Sequence, residues 1–174
     1  SDVAKEGSRA SEVINRLRAL LKKDKIEVEP LDLNSVFRET VTLLKSDAVM
    51  RDVKIELELD PELPFVRGDR IQLQQAVLNL ILNAFEAMSD CPRGERQVLI
   101  RTRRKESDVL AAVSDRGRGV PEGDAERIFK PFYTTKPQGL GMGLSITRSI
   151  VVRHQGRIWV ENNPEGGAAF SISL

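Results

Sequence analysis

Residues 70–88 constrain the fold of this 174-residue chain more than any other stretch. Val77, Leu78, Leu80, Ile81, Leu82 and Phe85 make the segment richly apolar at helical spacing, and Asp69 is placed to cap it. A helix of that composition must be heavily buried, and partners for the burial are legible on either side. Residues 53–59 alternate strictly between apolar and charged, which predicts a half-buried strand. Residues 98–100 and 109–113 read as a hairpin turning near Glu106, Ser107 and Asp108. Residues 158–160 and 170–174 read as two closing strands around a turn over residues 162–167. A helix carrying Val36, Phe37, Val41, Leu43 and Leu44, capped by Asp32 or Asn34, precedes them, and another is expected over residues 142–154. Pro61 and Pro64 mark a connection between elements. Helices alternating with strands and adjacent hairpins predict an α+β fold, a two-layer α/β sandwich with one mixed sheet backed by helices.

Residues 1–25 differ in texture. They contain no proline and place Ala10, Val13, Ile14, Leu17, Leu20 and Leu21 on one stripe, with Arg9, Arg16, Arg18 and Lys22 on the polar side. A lone amphipathic helix is marginal in water, so this single helix either packs on the rest of the chain or joins an intermolecular bundle. Composition then narrows the classes of function. Cys91 is the only cysteine and His154 the only histidine, which excludes an internal disulfide framework and a Cys/His zinc cluster. A formal net charge of +1 gives no electrostatic case for nucleic acid or an anionic membrane surface. No apolar run approaches the roughly 20 residues that span a bilayer, and no signal peptide is expected at the start. The expected location is cytoplasmic.

Four constellations carry chemistry. On the apolar helix, Gln72, Gln75, Asn79, Asn83 and Glu86 recur every three or four residues and form one polar stripe. Asn79 and Asn83 lie one turn apart. Their amide oxygens suit a hard cation such as Mg²⁺ that also takes phosphate oxygens and water, but taken alone the stripe reads first as the wet flank of an amphipathic helix. Directly after a strand, Asp115-Arg116-Gly117-Arg118-Gly119 joins a carboxylate, able to accept from a buried amine, to glycines that allow close backbone approach. An ordinary strand-to-loop turn has the same form. Gly139-Leu140-Gly141-Met142-Gly143-Leu144 runs alternate glycines into a helix start, whose free N–H groups suit phosphates better than a bare hinge would. Between these strings, Phe129, Phe132 and Tyr133 can pin a loop to the core. Lys130, Thr134, Thr135 and Lys136 either reach a polyphosphate or lie solvated on the surface.

In that order the strings resemble the N box, first glycine box, F box and second glycine box of the sensor histidine kinases of two-component systems. The resemblance covers roughly residues 30–174. The string Pro131-Phe132-Tyr133-Thr134-Thr135-Lys136 is most similar to the subgroup that includes nitrogen- and oxygen-responsive and dicarboxylate-sensing kinases. The resemblance implies a Bergerat-type sandwich, shared with gyrase and MutL, that binds ATP and Mg²⁺. It implies Asn83 as the metal ligand and Asp115 as the carboxylate that reads the adenine amino group. Gly117 and Gly119 would let the backbone pass the base, residues 120–140 would form a lid, and Gly141 and Gly143 would contact phosphates. Glu86, Lys130, Thr134, Thr135, Lys136, Gly139, Leu140, Met142 and Leu144 are implied beside the nucleotide, with Asn79 and Lys136 closest to the chemistry. Residues 1–25 resemble the second helix of the dimerisation and phosphoacceptor hairpin. That implies a homodimer in the full-length protein and a response regulator as partner.

The departures from the family pattern matter as much. Asn79 stands where hydrolytic relatives carry a Glu that acts as base toward water, and an amide cannot take a proton at neutral pH. Slow attack by water is expected, leaving the γ-phosphate for a histidine nucleophile. The helix that would carry the phosphoacceptor histidine is absent, and His154, at the end of the last helix, does not replace it. The chain is therefore expected to be a kinase fragment without its own acceptor. Glu86 occupies a place where many relatives have a phosphate-directed Lys, so that charge is assigned to Lys130 or Lys136. Ala168-Ala169 replaces the Ser or Thr that supports the carboxylate–adenine contact. Two other readings remain open: a hydrolysing ATPase of the same fold, which Asn79 opposes, and a nucleotide-binding pseudokinase that acts through protein contacts.

Overall fold

Carboxylate caps decide where the two long helices begin. In the computed structural model, which describes residues 27–135 and 141–174, Asp32 caps α1 (Leu33–Met50) by accepting from Asn34 N at 2.9 Å. Asp69 caps α2 (Arg70–Ala87) by accepting from Gln72 N at 3.1 Å. Burial follows the helical period, through Leu33, Val36, Phe37, Thr40 and Leu44 in α1 and Leu73, Ala76, Val77, Leu80, Ile81, Ala84 and Phe85 in α2. The third helix, α3 (Gly143–Arg153), begins after Met142, which makes no side-chain cap. The amphipathic helix expected over residues 1–25 lies outside the described residues, as do Lys136, Gly139 and Leu140.

Five strands pair in the order β2 (Lys54–Leu59), β4 (Gln97–Lys105), β5 (Asp108–Asp115), β7 (Ala168–Ser173), β6 (Arg157–Asn162). The β2–β4 pair is parallel and the others antiparallel, so the sheet is mixed as expected. One face is buried under the helices by alternation: Val98, Ile100 and Thr102 on β4, Val109, Ala111, Val113 and Asp115 on β5, and Ala168, Phe170 and Ile172 on β7. That period places a carboxyl group. Asp115, paired in register with Val98, is the last inward residue of β5 and is delivered to the helix-covered end of the sheet.

The structure departs from the sequence expectation in two places. The first hairpin is longer, because Arg101 and Arg103 on the solvent face and Arg104, exposed near the hairpin end although it shares the face of Thr102, hide the continuing strand. The Thr102 hydroxyl donates to Asn34 Oδ1 (2.7 Å) and accepts from Asp60 N (3.1 Å), and Asn34 Nδ2 donates to Asp60 O (2.7 Å). A second, two-stranded antiparallel sheet pairs β1 (Glu29–Leu31) with β3 (Val66–Gly68). It ends immediately before the cap of α2, where His154 Nε2 accepts from Asp69 N at 2.9 Å. The Nδ1–H of His154 is therefore the donor to Ile150 O at 2.7 Å, and the neutral ring ties the end of α3 to the start of α2. Among the described residues, no helix is long and apolar enough to cross a membrane.

Candidate functional site

A cleft of about 1070 Å³, part of it open to solvent, lies between α2, the loop after β5 and the start of α3. Asn79, Asn83, Glu86 and Ala87 line it from α2. Asp115, Arg118, Gly119 and Val120 line it from the loop, and Ala168 and Phe170 from β7. Tyr133, Thr134 and Thr135 approach from one side, and Gly141, Met142, Gly143 and Leu144 from the start of α3. Most of the site residues expected from the sequence therefore meet in one place.

Others go elsewhere. Lys130 is exposed and does not line the cleft, because the single 3₁₀ turn Arg127–Phe129 buries Ile128 and Phe129 and leaves the next residue on the outside. The polar stripe of α2 also splits: Gln75 lies in a separate groove against α1, with Thr40, Leu43 and Leu78. Gly117 does not line the cleft. It packs on α2, where a Cβ would come 2.4 Å from Ala87 O. Conversely, Arg118, the only cation among the described lining residues, was not assigned to the site from the sequence. An arginine between two glycines reads as solvated until the fold shows where the loop turns.

Asp115 is held by its own loop and by the neighbouring strand. Oδ1 accepts from Gly117 N at 2.7 Å and from Ala168 N at 3.4 Å, while Oδ2 has no donor among the described residues. Burial pushes the carboxyl pKa upward, and those two amides pull against it. The strand position, with no described cation on the carboxylate, makes Asp115 a buried acceptor with one oxygen unused. Such a group suits an uncharged donor such as an exocyclic amine.

On α2, Asn79 and Asn83 are half-buried rather than solvated. Asn79 Nδ2 donates to Gly143 O at 3.4 Å, and Thr147 Oγ1 donates to the same carbonyl at 2.9 Å, so the carboxamide spans from α2 to α3. The turn into α3 requires glycine at 141: its φ is +65°, and a Cβ would sit 2.5 Å from Tyr133 O. At Gly143 a Cβ would meet none of the described residues within 4 Å, so the space beside it is open. With no side-chain cap at Met142, the first-turn N–H groups of α3 have the character of an anion site. The loop facing them is pinned from below. Phe129 meets Phe170 edge-on at 6.3 Å, and the Tyr133 hydroxyl donates to Asp124, raising the phenol pKa. Arg127 lies over the Tyr133 ring at 5.1 Å.

A family model described as histidine kinase-, DNA gyrase B-, and HSP90-like ATPase matches residues 68–174. The chain belongs to this family. Its curated relatives include the sensor histidine kinase TmoS of Ectopseudomonas mendocina, 36 % identical over 99 % of this chain and 18 % of that protein. The sensor protein FixL of Bradyrhizobium diazoefficiens is 37 % identical over 98 % of this chain and 34 % of its own length. The chain thus spans about a fifth to a third of these family members. Among solved structures, the catalytic domain of histidine kinase ThkA superposes with a TM-score of 0.76 at 33 % identity, covering 85 % of this chain and 95 % of that one. ThkA in complex with the response regulator protein TrrA gives 0.81 at 28 % identity, covering 99 % of this chain and 48 % of that one. The Bergerat-type architecture expected from the sequence is the architecture of the family.

Proposed function

We propose that the chain is the ATP-binding catalytic domain of a two-component sensor histidine kinase, passing the γ-phosphate of Mg-ATP to a histidine on a helix that residues 1–174 do not contain. One observation carries the reading: the amides of α2, the buried acid of β5 and the uncapped start of α3 line a single cleft. In this reading Asp115 Oδ2 accepts from the adenine amino group. Gly141, Gly143 and Leu144 offer backbone to the phosphates, and Thr134 and Thr135 close over them with Lys136. Asn83 would hold Mg²⁺ through its amide oxygen, the remaining ligands being phosphate and water. The donor set suits that division, because the described residues contain no group of three or more His, Cys, Asp or Glu able to hold a metal by themselves. The metal would neutralise phosphate charge, which is most of what phosphoryl transfer asks of its surroundings.

Asn79 separates transfer from hydrolysis. Its carboxamide is engaged with the first residue of α3, and it has no basic atom with which to deprotonate water. A response regulator as downstream partner, supported by the ThkA–TrrA complex, and a dimeric parent protein belong to the same proposal. The test is a calorimetric titration of ATP with and without Mg²⁺, followed by radiolabelled ATP with a separately supplied acceptor helix. Metal-dependent binding, little steady-state hydrolysis and label on the acceptor histidine are expected. Binding that ignores the metal would favour the pseudokinase. Turnover at the rate of a dedicated ATPase would remove the argument from Asn79.

A further inference from the structure

Two successive asparagines at the end of β6 grip the two ends of the Asp115–Gly119 loop. Asn163 Nδ2 donates to Ser114 Oγ at 2.9 Å and to Asp115 O at 3.1 Å, where the loop begins. Asn162 acts where it ends: Val120 N donates to Asn162 Oδ1 and Asn162 Nδ2 donates to Val120 O, both at 2.8 Å. One carboxamide thereby reproduces the two-bond exchange of an antiparallel strand pair at a residue outside every strand. The same oxygen covers Gly119, where a Cβ would meet it at 2.8 Å and where φ is +73°. Without that pairing, the position of Val120 would rest on a glycine, the least restrained of residues. Gly119 and Val120 both line the cleft, and the segment leading to Tyr133 and Thr134 departs from them.

We infer that Asn162 is a positioning residue of the nucleotide site: through its paired hydrogen bonds to Val120 it fixes the exit of the Asp115–Gly119 loop and the root of the segment that carries Tyr133 and Thr134 to the cleft. This rests on the ATP-binding reading above, and it names a residue that touches no nucleotide atom and acts through backbone.

The experiment compares the full chain with Asn162→Ala and Asn162→Asp. Three quantities are measured: amide hydrogen exchange without nucleotide, the ATP Kd with Mg²⁺, and the melting temperature. In N162A the Val120 amide should exchange at least about tenfold faster while β5 amides stay protected, and the ATP Kd should rise about tenfold, as expected for two lost hydrogen bonds. In N162D the carboxylate keeps the acceptor for Val120 N–H and loses the donor. It should preserve much of the Val120 protection and weaken ATP by about threefold, a graded rescue that a general loss of stability does not produce. If N162A melts too early to titrate, N162D and the exchange data decide. An ATP Kd within twofold of the unsubstituted chain in N162A, or unchanged Val120 exchange in that variant, would overturn the inference. Failure of the unsubstituted chain to bind ATP would instead sink the nucleotide reading, leaving the exchange result to report on the clip alone.

Discussion

Replacing Asp115 by asparagine tests the centre of the site, because the structure fixes how the new side chain must sit. Oδ1 already accepts from Gly117 N and Ala168 N, so the amide oxygen of the introduced side chain takes that place and its NH₂ takes the place of Oδ2. The shape is unchanged, but the edge offered to a base switches from acceptor to donor. An adenine amino group then faces a donor and loses a charge-assisted bond, worth about 2–3 kcal/mol or roughly 30–150-fold in Kd. Inosine triphosphate, which carries a carbonyl at that position, should lose far less, so preference for ATP over ITP should narrow by at least about tenfold. Stability should move the other way. Because burial raises the Asp115 pKa, the folded protein holds this proton more tightly than the unfolded chain. The carboxyl therefore contributes stability when protonated at low pH and loses it as pH rises through the folded-state pKa. A neutral carboxamide in its place has no such penalty. The Asp115→Asn variant should unfold later than the parent at pH 7–8, and the difference should fade toward acid. Competition binding and thermal melts across pH measure both effects. ATP affinity within threefold of the parent, or a neutral-pH melt earlier than the parent's, would refute the reasoning.

The other expectations concern the frame of the cleft. Gly141→Ala places a Cβ 2.5 Å from Tyr133 O at a φ of +65°, and should cost about 2–4 kcal/mol in urea unfolding. Gly143→Ala meets nothing and should fold at least as well as the parent; a loss of ATP affinity without loss of stability would report close backbone approach by phosphate. Thr102→Val removes the hydroxyl between Asn34 and Asp60, and denaturant midpoints should show a loss of about 1–3 kcal/mol. Arg96 donates to the carbonyls of Arg51 (2.8 Å), Ser89 (3.0 Å) and Cys91 (3.0 Å), gathering the ends of α1 and α2. Arg96→Ala should cost about 2–4 kcal/mol by the same assay, and Arg96→Lys should recover only part of it, since the single ammonium nitrogen cannot reach three carbonyls that Arg96 meets with three separate nitrogens.

What the sequence revealed and what it hid divide along physical lines. Caps and apolar period are local signals, so Asp69, a cap at Asp32 or Asn34, and most of the buried positions of α1 and α2 were legible, whereas Leu43, read with the apolar stripe of α1, is exposed. The glycine strings were legible because phosphate chemistry needs backbone where side chains would obstruct, and Gly141 and Gly119 do have positive φ. The β1–β3 pair was not legible, because three-residue strands are too short to alternate and one contains Pro30. The placement of Lys130 and Arg118 was hidden for a different reason. Both are cations next to motif residues, and only the tertiary course of the loop sends Arg118 toward the cleft and Lys130 away from it. Asn162 and Asn163 read as turn formers. Their part in holding a loop more than 40 residues away in sequence depends on the β6–β7 hairpin folding back beside β5.

The charge in the cleft bears on the mechanism as well. Among the described lining residues, one cation, Arg118, faces two carboxyls, Asp115 and Glu86. Among the described residues, a triphosphate brought there would meet no surplus of positive side chains. The uncapped start of α3 supplies only about half an elementary charge of helix dipole. In the proposed reading the rest of the neutralisation would come from the metal ion bound with the nucleotide and from Lys136. On that reading a neutral ligand such as Asn83 would suit the protein side, since a carboxylate there would add to the negative charge that the site must balance. It would also account for the buried acid lying at the sheet end of the cleft rather than on α2 or at the start of α3. With no described cation on its carboxylate, Asp115 suits an uncharged partner, and in the proposed reading an adenine edge would be such a group while a phosphate would not.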